Sequence, residues 1–164
     1  MPTPIDSGMD LTSACMPDAI ASAHAEADDE RHTERVGPLL AAQDRSERAE
    51  GVELMLSELL PLDERRRDEA TVWLEFTMAA RTRPELQPLA RESYDGMRTL
   101  VRRIVEGVAR HGALRAGTEV ETERLCALLD GLTVEGVLHP DRMTPSAMVL
   151  ALRRHLETLA EPGL

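Results

Sequence analysis

The stretch Val120–Leu138, VETERLCALLDGLTVEGVL, stops at His139-Pro140 and carries Leu125, Cys126, Leu128, Leu129, Leu132, Val134, Val137 and Leu138. At 3.6 residues per turn these apolar side chains leave a helix almost no polar face. Such a helix has to be covered on both sides, by its own core and by a partner. It therefore decides the fold class, an all-α chain.

On the C-terminal side, Thr144 as N-cap and Pro145 at the first helical position open a helix to about Leu159. Met148, Leu152, Leu156 and Leu159 line one side of it. Working the other way, Pro84 or Pro88 opens a long helix ending near Gly112, its inner face Leu89, Ser93, Met97, Leu100, Val101, Ile104 and Val108. Arg102, Arg103 and Arg110 in its last turns suit the helix dipole. Asp63 caps a helix to about Arg81. Its middle, TVWLEFTMAA from Thr71 to Ala80, is apolar almost all round and predicts a central, buried element.

A further helix spans about Ser46–Leu60, with a stripe of Val52, Met55, Leu56, Leu59 and Leu60, and Pro61 ends it. An earlier one is expected from near Ala23 to Ala42, carrying Val36, Leu39 and Leu40 and interrupted at Gly37-Pro38. That makes about six helices in one domain, residues 23–160. Residues 1–22, with Pro2, Pro4, Gly8 and Pro17 and no periodicity, read as a disordered or loosely packed tail.

With 164 residues, 42% of them hydrophobic, the chain is long enough for one domain with a true core. A formal net charge of −11 argues against sequence-independent nucleic-acid binding, which needs basic residues to displace counterions. All nineteen basic residues are Arg, and none precedes Arg31. Trp73, Phe76 and Tyr94 are the only aromatics, too few for base-stacking platforms. Cys15 and Cys126 make no disulfide framework and suit a reducing cytosol. No run approaches the ~18 apolar residues of a membrane span, and the N-terminus lacks a basic n-region. The reading is a soluble, cytoplasmic protein.

No Gly-rich phosphate loop, GxSxG elbow, HExxH or CxxC motif is present, so neither an enzyme nor a cofactor is expected. His24, Asp28 and His32 at i, i+4 and i+8 could hold a metal, although the same spacing describes a solvated face; no metal is assigned. The Glu-x-x-His pairs of a di-iron bundle are missing. Cys126 reads as a small buried hydrophobe.

Three further features could belong to a ligand site. Asp130 stands beside Gly131 in mid-helix, which is either a packing notch next to a hydrogen-bonded Asp or part of a pocket wall. Glu75, between Leu74 and Phe76, either marks an exposed edge or needs an Arg or a cationic ligand. Trp73, Thr77, Tyr94 and Met97 either line an apolar cavity with a few polar groups or are core.

Several segments in order carry a family likeness: LSELLPLDER (Leu56–Arg65), EATVWLEF (Glu69–Phe76), RPELQPL (Arg83–Leu89) and GALRAG (Gly112–Gly117). LLDGL (Leu128–Leu132), LHPDR (Leu138–Arg142) and Thr144-Pro145 continue it. Over about residues 25–160 the chain resembles the C-terminal regulatory domain of TetR-family transcriptional regulators, nearest to the BetI-like subgroup. The resemblance implies a homodimer in which the last two helices of each subunit form a four-helix bundle. The residues placed there are Leu128, Val134, Val137, Met148, Leu152 and Leu156. It also implies a ligand cavity among the helices that carry Met55, Trp73, Tyr94 and Leu129. The effector expected is small, apolar or amphipathic, with cations among the candidates.

Regulators of this family begin with a basic three-helix DNA-binding head, which nothing in Met1–Ala23 resembles. The chain alone is therefore not expected to bind an operator. Alternatives are a headless partner that sequesters ligand or heterodimerises with an intact repressor, a small helical metal protein, and a plain dimeric scaffold.

Overall fold

In a computed structural model of the chain, the described residues are 45–111 and 114–159. The tail, the helix expected at Ala23–Ala42 and the trio His24, Asp28 and His32 lie outside them. The described residues form five α-helices and one 3-10 turn: α1 (Arg45–Ser57), α2 (Glu64–Ala80), the turn Pro84–Leu86, α3 (Gln87–Ala109), α4 (Thr118–Leu138) and α5 (Pro145–Leu159).

Most boundaries have a local cause. Asp63 has extended backbone, and its side chain accepts a hydrogen bond from the Arg66 amide at 2.9 Å, which starts α2. Thr144 does the same for α5, accepting from the Ala147 amide at 3.3 Å. α1 stops at Ser57, before Pro61, because Leu59 and Leu60 close a tight turn onto the carbonyls of Leu56 and Ser57. α4 starts after Gly117, whose φ of 79° is one that side-chain-bearing residues rarely adopt.

α4 sits at the centre, packing on α3, α5 and α2, while α1 lies on α5. The core is Leu56 from α1 and Leu60 just beyond it, Val101 and Val105 from α3, Leu125 and Leu129 from α4, and Met148 and Leu152 from α5. Burying each such side chain contributes roughly 1.5–3 kcal/mol. Ion pairs fasten the surface. Arg153 of α5 grips Glu53 of α1 through both oxygens at 2.7 and 2.8 Å. Arg98 of α3 reaches Glu119, at 2.7 Å, and Glu123 on α4.

Three expectations need correcting. α2 is not the buried centre: Ala80 is its one buried residue, Glu75 is exposed and Met78 is 57% exposed. Its apolar composition is all-round, but among the described residues α2 has neighbours on part of its circumference only. On α3 the buried positions are Val101, Ile104 and Val105, whereas Ser93 and Leu100 are exposed. The glycine of α4 at a close crossing is Gly136, not Gly131. A β-carbon at Gly136 would meet Pro61 Cγ at 2.9 Å, while one at Gly131 would meet nothing within 4 Å.

Candidate ligand cavity

A cavity of about 520 Å³ opens between α2, α3 and α4. α2 supplies Trp73, Thr77 and Ala80 at i, i+4 and i+7, one helix face. α3 supplies Gln87, Ala90, Arg91, Tyr94 and Asp95, again at one-face spacing, and α4 supplies Asp130. Arg81, just beyond α2, completes the lining.

Electrostatically, Asp130 stands apart. Its carboxyl is half-buried, has no hydrogen bond or ion pair among the described residues, and is pushed above the usual carboxylate range by burial. Burial, and then the Asp130 carboxylate, push the Tyr94 phenol up as well. The cavity thus combines an indole, a phenol, a threonine hydroxyl and an unpaired carboxylate. Arg81, Arg91 and Asp95, all exposed, stand around it. This is the composition of a small-molecule site, apolar surface with a few orienting polar groups. Among the described residues no group of three His, Cys, Asp or Glu side chains could hold a metal ion.

Residues 48–161 match the family described as the BetI-type transcriptional repressor C-terminal domain. The chain belongs to this family. Among curated proteins it is similar to the HTH-type transcriptional regulator PksA of Bacillus subtilis (strain 168), 28% identical over 132 residues. That match covers 79% of this chain and 62% of PksA, so the chain spans less than two thirds of that relative. Among solved structures it resembles a transcriptional regulator from Rhodococcus sp. Rha1, with a TM-score of 0.59 and 23% identity, over 88% of this chain and 72% of that one. At that identity the likeness speaks for the fold. The TetR resemblance, with its BetI-like subgroup and all-α architecture, is thereby shown.

In this BetI-type domain, four of the eight residues expected at the ligand, Trp73, Thr77, Tyr94 and Asp130, share the cavity. The others do not. Glu75 is exposed on α2 outside it. Leu129 is 2% exposed and belongs to the core. Met97 is half-buried and lines neither this cavity nor the one that holds Met55, between α1, α3 and α5. Gln87, Ala90, Arg91 and Asp95 escaped sequence reading, though each falls on the α3 face that Tyr94 marks.

Of the expected partner-facing residues, Met148 and Leu152 have no exposed surface. They are spent on this chain's own core and offer a partner nothing. Leu128 and Leu156 are half-buried and packed against that core, and Val134 and Val137 are half-buried. The side of α4 turned from the core carries Val120, 49% exposed, and Leu138, 62% exposed. Ala127, Gly131 and Val134 lie between them on the same side. Val120, Ala127 and Val134 repeat every seven residues, as do Gly131 and Leu138, the period of a helix-pairing seam. Leu150 of α5 is also exposed, at 53%. No helix among the described residues is long and apolar enough to cross a membrane.

Proposed function

We propose that this chain is the effector-sensing, homodimer-forming part of a TetR-family transcriptional regulator, and that its effector is a small amphipathic molecule with a cationic group. The observation that carries the reading is the convergence of Trp73, Thr77, Tyr94 and Asp130, from three helices, on one cavity whose carboxylate has no partner among the described residues. A cation beside Asp130 supplies the missing counter-charge, and the faces of Trp73 and Tyr94 attract the same group.

The fold also supports a route for the signal. α4 carries Asp130 on the cavity side and Val120, Val134 and Leu138 on its outer side. An effector that binds one arrangement of α2, α3 and α4 more tightly shifts the population toward it, and a displaced α4 is felt by the partner subunit. Residues 1–30 hold no Lys or Arg to neutralise operator phosphates, so no operator contact is assigned to them. A cytoplasmic location goes with this role. The match to PksA over part of its length is in keeping with it.

Thermal unfolding against a panel of aromatic cations and their neutral analogues tests the proposal. A cation at 100 times its Kd should stabilise the fold by about 2.7 kcal/mol. A panel that shifts nothing, or in which the neutral analogues do as well, rejects it.

A further inference from the structure

A second cavity, of about 350 Å³, lies between α1, α3 and α5 and differs in kind from the first. Val52, Met55, Ile104, Val108, Leu156 and Leu159 make it apolar. Around these stand Arg48, Arg103, Arg110 and His111, with no Asp or Glu among the described lining residues. In a chain with 30 acidic and 19 basic residues, this is a local reversal of sign.

Two of the guanidiniums are uncommitted. Arg98 and Arg102 on the same helix each engage carboxylates. Arg103 and Arg110 have no carboxylate partner among the described residues, and both are exposed. Gly107, which also lines the cavity, leaves room for one of them. Arg110 Nη2 lies 3.4 Å from where a Gly107 β-carbon would stand, so the guanidinium can fold back over the helix.

We propose that this cavity is a second binding site, for an elongated amphipathic anion. The apolar tail lies along Val52, Met55 and Ile104, and the anionic head meets Arg103 and Arg110. Arginine presents paired donors to a carboxylate and keeps its charge at any physiological pH. The volume suits a tail of about ten carbons. This site is independent of the cation cavity, which lies on the other side of α3 and shares no lining residue with it.

The test is calorimetric titration of the whole chain with decanoate and decanol. Decanoate is expected to bind about tenfold more tightly than decanol, the worth of one charge-assisted contact. Arg103→Gln with Arg110→Gln should remove that advantage while leaving decanol binding unchanged. Arg142→Gln, which removes an exposed arginine lining neither cavity, should leave decanoate binding unchanged. All three substitutions are at exposed positions, and circular dichroism verifies that each variant is folded. No decanoate binding, equal affinity for decanoate and decanol, or equal losses in Arg142→Gln and the double variant would each overturn the proposal. None of these outcomes touches the first cavity, whose ligand is a cation.

Discussion

Gly136 of α4 sits against Met148 of α5 so closely that a β-carbon on it would lie 3.0 Å from the methionine sulfur. Pro61 Cγ closes the other side at 2.9 Å, and a proline ring cannot swing away. Gly136→Ala gains about 1 kcal/mol of helix propensity, but overpacking costs about 1–3 kcal/mol. Net destabilisation is expected in urea unfolding. Adding Met148→Ala should not restore wild-type stability, because Pro61 remains and a core cavity is created.

Asp130 should be a liability in the free protein. Burial raises its folded-state pKa above the unfolded value, so the folded state holds the proton more tightly. Stability then falls as pH rises from the unfolded value through the raised one. Asp130→Asn is expected to be more stable than wild type at pH 7, with the difference vanishing in acid. A less stable Asn variant would mean that Asp130 has a partner.

His155 of α5 has the opposite sign. Burial, and then the Arg124 guanidinium, lower its pKa below 6.5, while Glu121 opposes them; its Nε2 is fully covered and unpaired. The unfolded chain therefore binds the proton more readily. Stability is fully present above about pH 6.5 and is lost as pH falls through the folded-state value. His155→Leu should flatten that part of the pH–stability curve.

Val134 lies half-buried on the outer side of α4, where Arg can reach solvent without unfolding the chain. Val134→Arg is expected to keep its helical circular dichroism and give monomer mass in light scattering, against dimer mass for wild type. An unchanged dimer would remove α4 from the interface.

How much of this was legible beforehand depended on the kind of signal. Asp63, Thr144 and Pro145 announce helix starts because capping is local chemistry, and the structure keeps them. Depth is not local. TVWLEFTMAA looks buried from its composition, yet α2 is mostly half-covered because none of the described residues encloses its far side. The stripe Met148, Leu152, Leu156 identified a buried face of α5 without telling which body buries it, and for Met148 and Leu152 that body is the chain itself. Gly131 and Gly136 are indistinguishable as mid-helix glycines until Pro61 and Met148 are in place. The cavity was readable where a residue type was rare, as with Trp73, Tyr94 and a mid-helix Asp130. It was unreadable at Arg91 and Asp95, which look like any solvated helix face.

Trp73 is the chain's single tryptophan and lines the cavity, so its fluorescence reports occupancy there directly. The decisive measurement is a titration with tetraphenylphosphonium, in wild type and in Asp130→Asn. A saturable change in wild type, with affinity about tenfold weaker in the Asn variant, is expected if Asp130 supplies the counter-charge. No saturable change, or the same affinity in both proteins, would contradict a cation-sensing cavity between α2, α3 and α4.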